Sequence, residues 1–369
     1  MSEPSSGATD NVRMVGCDLH YHAGKPAFEN NPSTLESQTP RPVSVNGKRM
    51  PVIDMHAHCQ LSNVWPMVEG REELDGENPY EGQLKKTENI EVRLQQMDAM
   101  GTDLEVLSIG TEQHFPWAEY DLARDVARLQ NETLTEVCAA HPDRFVPLGV
   151  VSLQHPQLAA EQLENSVKQL GHRGCMIRGN VMGQELSDSK FHPFWAKAEE
   201  LDVVVFIHPR VYRGSNPRLK GRGFLHNMIG NPLETTTALA HLIYEGTLDR
   251  FPGLKIAAAH GGGFLPSYVG RFDHGHNSAD RGGRGLEERK PSEYIRNLYY
   301  DTLVYGTENL RHLINEVGIS QLMIGTDHDF GMTNRNAVAH LLSVEGLGEE
   351  EIEGVLNGTA KRLFKIDHI

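Results

Sequence analysis

Four short apolar runs, each closing on a residue that can bind a metal or move a proton, constrain this chain more than any other feature. Val52–Ile53–Asp54–Met55–His56–Ala57–His58 delivers two histidines two residues apart. Residues 201–207 run into His208–Pro209, residues 254–259 run into His260 and three glycines, and residues 321–326 end at Asp327. In a strand, residues i and i+2 share a face, so His56 and His58 can present both imidazoles to one ion. Continuous apolar runs of this length, separated by stretches of helical periodicity, are typical of parallel strands covered on both faces. An isolated HxH pair says little in a chain with 19 histidines; its weight comes from the runs downstream.

The remaining chain repeats the same strand–helix rhythm. Strands are predicted at 51–57, 104–109, 145–151, 174–177, 203–207, 254–259, 298–301 and 321–326. Between them, Ile90, Leu94, Met97 and Met100 recur at helical spacing before Gly101, and helices follow at 119–140, 157–170, 192–200, 233–246, 264–273 and 307–317, with two more at the C-terminus. Eight such units predict a (β/α)8 TIM barrel, whose core needs only about 250 residues. The 369-residue chain therefore leaves room for loop insertions, of which the polar stretch 61–88 is the longest. Residues 1–49, rich in Pro, Ser, Asn and Gly, read as an N-terminal arm, and residues 50–369 as the barrel.

A net charge of −15 argues against a nucleic-acid or anionic-membrane surface, which demands clustered Lys and Arg. The Arg281–Gly282–Gly283–Arg284–Gly285 run is single and flanked by acids, so it reads as an interface loop. Four cysteines without CxxC spacing fit reduced thiols. The N-terminus lacks the pattern of a secretory signal, and no apolar run approaches the roughly 20 residues that span a bilayer. A cytoplasmic protein acting on a small molecule is expected. His20 and His22 form a second DxHxH, but in the arm and without the helix and strand that follow His58. His114, His155, His226, His241, His274, His276 and His328 read as surface, core or loop histidines.

Active-site groups of such barrels sit at the C-terminal ends of strands, so His56, His58, His208, His260 and Asp327 converge on one mouth. This ordered set resembles the metal-dependent amidohydrolase superfamily. Asn231–Thr236, Arg250–Lys255, Ala259–Pro266 with Gly270–Arg271, Gly325–Asp327 and Asn357–Phe364 are similar to its amidohydrolase-2 branch. That branch includes decarboxylases of aminocarboxymuconate semialdehyde and of hydroxybenzoates, and the likeness covers roughly residues 50–366.

The resemblance implies a metal-dependent, non-oxidative decarboxylase of a small aromatic or muconate-type acid, acting in aromatic catabolism. Its metal would be one divalent ion, zinc first and manganese second, held by His56, His58, His208 and Asp327, without an organic cofactor. No lysine follows the fourth strand, which ends at Ile177–Arg178, so one ion is expected rather than two. His260 is the expected acid or base, with Asp327 sharing that role. Arg178 and Arg210 are candidates to fix a substrate carboxylate. Arg271 matches an arginine that reaches the neighbouring subunit's site, which implies a homodimer. Arg71 and Arg93 are candidates for the arginine of the loop after the first strand. Two segments depart from the branch: Arg210 follows His208–Pro209 where an aromatic and an acid are common, and His328–Asp329–Phe330 replaces an aromatic–Pro pair. Metal-activated water could also serve a hydrolase acting on an amide or lactone, a deaminase, or a hydratase.

Overall fold

Strand and helix alternate around the chain because each apolar run is too short and too uniformly apolar to stand with one face in water. The computed structural model describes residues 13–14, 19–20, 40–70, 89–210, 217–219, 223–278 and 289–369. His22, Arg71 and the Arg281–Gly285 run lie outside these, as does the side chain of His20. The eight parallel strands are β1 (Ile53–Cys59), β2 (Leu104–Ile109), β3 (Phe145–Val150), β4 (Gly174–Arg178), β5 (Val204–His208), β6 (Lys255–Ala258), β7 (Tyr299–Asp301) and β8 (Leu322–Met323). Neighbours in sequence are neighbours in the sheet throughout. Around it lie α1 (Ile90–Met100), α2 (Tyr120–Ala140), α3 (Pro156–Lys168), α4 (His192–Glu200), α5 (Asn231–Tyr244), α6 (Val269–Asn277), α7 (Thr307–Val317), α8 (Ala337–Leu342) and α9 (Thr359–Phe364). This is the (β/α)8 barrel that the sequence predicts. Among the described residues no helix is long and apolar enough to cross a membrane.

The alternation of β5 shows how the strands place the site. Val205 and Ile207 belong to the strand–helix layer with Trp195, Leu239 and Leu242, whereas Val204 and Phe206 pack with Leu104, Leu148, Met176 and Ala257 in the barrel interior. His208 is in phase with Val204 and Phe206, so it follows the interior face to the barrel mouth. Apolar burial of this kind contributes about 25 cal/mol per Å² and fixes the register, because a one-residue slip would turn His208 toward the helices.

Closure of the barrel differs from the prediction. The eighth strand was expected over 321–326, yet only Leu322–Met323 joins the ladder. The chain then meets β1 through single backbone bonds: Met55 N–H donates to Ile324 O (2.9 Å), Asp327 N–H to His56 O (2.8 Å) and His58 N–H to His328 O (2.5 Å). Gly325 explains the departure, since a Cβ there would lie 2.5 Å from Asp301 Cβ and 3.0 Å from His56 Cβ. Likewise the helix expected at 264–273 begins only at Val269, because His260, Gly261, Gly262 and Gly263 take φ of 56°, 60°, 77° and 68°, a left-handed run that no helix can continue.

Residues 40–49 pack on the barrel. Ser44–Val45 pairs with Lys48–Arg49 around Asn46 and Gly47, both at positive φ, and Val43 and Met50 are buried. Arg41 Nε and Arg49 Nη2 lie 2.7 and 2.6 Å from Asp103 Oδ1, tying the hairpin to the entry of β2.

Candidate metal centre

The pleat of β1 puts His56 and His58 on one face, and their Nε2 atoms are 3.0 Å apart. Each ring is aimed by its other nitrogen. His56 Nδ1 lies 2.6 Å from Asp301 Oδ2. His58 Nδ1 lies 2.8 Å from Ser108 Oγ, whose own hydroxyl donates to Ala57 O at 3.0 Å. An Nδ1–H bound to a carboxylate or to a committed hydroxyl leaves the Nε2 lone pair facing the cluster. Asp327 Oδ1 stands 3.5 Å from His56 Nε2 and 3.3 Å from His58 Nε2, and Asp327 Oδ2 is 3.9 Å from His260 Nε2. His56, His208, His260 and Asp327 each offer a ligand atom within 4.8 Å of the others, and the rings of His58 and His208 are 4.7 Å apart. All five residues expected from the sequence therefore meet at one point, and His260 stands inside the donor cluster rather than behind it.

The donor set fits a divalent ion. Both ring nitrogens of His208 are buried with no hydrogen-bond partner, a costly state for an imidazole that a Lewis acid taking its lone pair would relieve. Burial opposes charge on His56, but the Asp301 and Asp327 carboxylates outweigh it and raise that imidazole to about 10. Asp327 is likewise opposed by burial, yet bonds from His260, His56 and His58 hold its carboxyl well below the usual range. Burial, followed by the neighbouring imidazoles, pushes His208 well below an ordinary histidine. Three imidazoles with one carboxylate suit a mononuclear site for a divalent ion.

Asp301 is the functional residue that sequence reasoning missed. It ends β7, is fully buried, and accepts from His56 Nδ1 (2.6 Å), His260 N–H (2.8 Å), Gly261 N–H (2.7 Å) and Leu303 N–H (3.1 Å). One carboxylate thus orients a cluster imidazole and anchors the left-handed turn that carries His260. The available signal was its place at the polar end of the seventh run.

A second buried network braces the seam between β1 and β8. Arg93 Nε donates to Glu105 Oε2 (2.7 Å), Glu105 Oε1 is 2.6 Å from His328 Nδ1, and Arg93 Nη1 donates to His58 O (2.8 Å). Burial works against the Glu105 carboxylate, but Arg93 and His328 bring it down to about 2. Arg93, at 2% exposure, is committed to this network and is not available as the substrate arginine considered from the sequence. His328, expected to be a surface, core or loop histidine, is a core one, fully buried and bracing the seam.

The expected substrate arginines occupy a polar corner over the ends of β2, β4 and β5. Arg178 Nε and Nη2 donate to Thr111 O at 3.2 and 2.6 Å. Arg210 pairs with the Glu112 carboxylate, and its backbone N–H donates to Glu234 Oε1 at 3.2 Å. Burial pushes Glu234 up to about 7. Arg271 is exposed on α6. A cavity of about 680 Å³ opens beside His260 and Asp327, walled by Met228, Phe264, Leu303, Val304 and Met332.

Comparison with known proteins agrees with this geometry. The family model described as Amidohydrolase, Amidohydro_2, matches residues 53–366. The chain is 31% identical over 277 residues, 75% of its length and 77% of the relative's, to 2-amino-3-carboxymuconate-6-semialdehyde decarboxylase of Dictyostelium discoideum. It is 29% identical over 296 residues, covering 75% of this chain and 88% of the relative, to gamma-resorcylate decarboxylase of Rhodococcus jostii strain RHA1. Among solved structures, 5-carboxyvanillate decarboxylase from Sphingomonas paucimobilis superposes with a TM-score of 0.79 at 26% identity, over 86% of this chain and 100% of that one.

Proposed function

The chain belongs to the amidohydrolase family, and from that premise we propose that it is a metal-dependent, non-oxidative decarboxylase, a carboxy-lyase, of a small aromatic or muconate-type carboxylic acid. The observation that carries the reading is the convergence of His56, His58, His208 and Asp327, with Asp301 and Ser108 turning two Nε2 lone pairs toward the same point. These four groups would hold a divalent ion, which would supply Lewis-acid chemistry at the site. Nitrogen-rich ligation favours zinc, with manganese as the second choice.

The chain's own residues do the rest. Arg178 and Arg210, the arginines of the polar corner, orient the acid toward the cluster. His260, on the cavity wall with Nδ1 unpartnered, delivers a proton to the carbon that loses CO2. As the C–C bond breaks, its electron pair stays on that carbon and the imidazole proton takes it. Asp327, 3.9 Å from His260 Nε2, stabilises the imidazolium before transfer. Arg271 would serve the site of a second subunit in a homodimer, a reading supported by Leu233, Phe264 and Tyr268, which stand 46%, 37% and 54% exposed nearby. Buried free thiols at Cys138 and Cys175 suit a cytoplasmic setting.

The test pairs metal content with CO2 release from hydroxybenzoates, aminobenzoates and carboxymuconate semialdehydes, with and without chelator. Chelator-sensitive CO2 release is expected. About one bound metal per chain with no CO2 from any acid would overturn decarboxylation in favour of hydrolysis or hydration.

A further inference from the structure

A metal site is only as precise as the backbone that carries its ligands, and the backbone of this one leaves the regular ladder. β1 pairs Asp54 with Glu105 and then Ala57 with Leu107, so the register shifts by one residue across Met55–His56, an irregularity of the kind that re-aims side chains. Asp327 takes φ of 61°, a conformation uncommon for a residue with a Cβ, which persists where the surroundings over-determine it. The two irregular segments hold each other: Asp327 N–H donates to His56 O at 2.8 Å, and His58 N–H to His328 O at 2.5 Å.

The Arg93–Glu105–His328 network closes on these segments. The backbone of His58 is clamped from both sides, its carbonyl accepting from Arg93 Nη1 at 2.8 Å while its N–H meets the His328 carbonyl. The His328 ring is fixed in turn, Nδ1 lying 2.6 Å from Glu105 Oε1 and Nε2 2.9 Å from Gln96 Oε1. Glu105 Oε2 accepts from Arg93 Nε at 2.7 Å. One carboxylate thus links the guanidinium that holds His58 O to the residue that follows Asp327. Arg93, Glu105 and His328 are 2%, 0% and 0% exposed. Apolar side chains of similar volume often stabilise a core as well as buried charges do, so what distinguishes this network is the backbone it holds.

From these contacts we infer that Glu105, with Arg93 and His328, is a positioning residue of the metal centre. By fixing the backbone of His58 and Asp327 it sets how closely their donor atoms converge, and so how tightly and in what geometry an ion is held. The three act through those ligands rather than on the ion. The inference rests on the reading of His56, His58, His208 and Asp327 as a metal centre, and it is independent of the reaction catalysed there.

The test is chelator competition on the folded, zinc-loaded full chain, joined to the visible absorption of the cobalt(II)-loaded protein, whose bands report coordination geometry. Glu105→Gln keeps the side-chain shape and removes the charge; it is expected to weaken zinc binding about 10–100-fold and to change the cobalt bands. Arg93→Lys keeps a cation beside Glu105 but lacks the fork that also spans to His58 O. It is expected to change both readouts in the same direction, and it carries the test if the glutamine variant does not fold. Leu242→Ala, in the strand–helix layer against β5, loosens the core elsewhere and should leave zinc affinity and cobalt bands as in the parent. Parent-like affinity and bands in the folded network variants would overturn the inference. An equal loss in Leu242→Ala would overturn it too, by making general stability the cause. A parent chain that binds neither zinc nor cobalt would remove the metal-centre reading and this inference with it, an outcome distinct from a parent that binds metal and variants that match it.

Discussion

Asp301→Asn changes one oxygen of a buried carboxylate into an amide nitrogen and leaves the side-chain shape intact. In the parent, four donors converge on the carboxylate: His56 Nδ1 at 2.6 Å and the N–H groups of His260, Gly261 and Leu303 at 2.8, 2.7 and 3.1 Å. An asparagine oxygen can keep Gly261 and Leu303, but the NH2 then faces His56 Nδ1 and His260 N–H, donor against donor. Either His56 takes its other tautomer, which puts a proton on the nitrogen meant for the metal, or a buried donor is left unpaired at about 1–3 kcal/mol. Partners of this kind are worth about 10–100-fold in metal affinity, or roughly 1.4–2.7 kcal/mol. The assay is chelator competition on folded protein, repeated in a His56→Ala background. The loss should be present with His56 and largely absent without it. An Asp301→Asn protein that holds metal as tightly as the parent, or one that loses the same amount in both backgrounds, would refute the idea that Asp301 acts through His56.

Three further substitutions probe other parts of the site. His260→Asn should retain its metal while CO2 release falls by about 10²–10⁴-fold, read from metal analysis and single-turnover CO2 on the same sample. Gly325→Ala places a methyl 2.5 Å from Asp301 Cβ and 3.0 Å from His56 Cβ; it should cost about 1–3 kcal/mol of stability and weaken metal binding, both visible in urea unfolding with and without chelator. Glu105 is held at about 2 by Arg93 and His328 against the opposing effect of burial. Its carboxylate therefore stabilises the fold by about 3 kcal/mol above the unfolded value near 4.5 and loses that contribution as pH falls toward 2. In Glu105→Gln the acid-side slope of unfolding free energy against pH should flatten; an unchanged slope would contradict the assignment. Glu234, raised to about 7 chiefly by burial, has the opposite sign: the fold loses stability as pH rises from about 4.5 through 7, so Glu234→Gln should melt higher than the parent above pH 7 and show no gain in acid.

The strands were legible because each is a local signal. A run such as Val204–Ile207 needs nothing distant to declare itself apolar on both faces, and the polar residue that ends it marks the barrel mouth. Where local backbone chemistry intervened, the prediction slipped. The left-handed sequence His260–Gly263 delays α6 to Val269, and close approach at Gly325 takes the chain out of the eighth ladder after Met323. Both deviations lie at the mouth, where the chain departs from regular pairing in order to aim His260 and Asp327.

The orienting shell escaped the sequence for a different reason. Asp301 reaches His56 across 245 residues and the His260 turn across 41, and no spacing rule encodes a contact made by barrel closure. The same blindness made Arg93 a substrate candidate. Its partner Glu105 lies on the next strand, 12 residues on, and a buried ion pair looks like an exposed arginine until the fold is known. The five motif residues state that a metal can be held, but the lone pairs face one another only because Asp301 and Ser108 occupy the opposite nitrogens. A chain of this architecture could therefore keep every histidine of the pattern and still bind metal poorly, were the acid at the end of the seventh strand replaced. The polar end of that strand is accordingly as diagnostic of a working centre as the HxH pair that first draws attention.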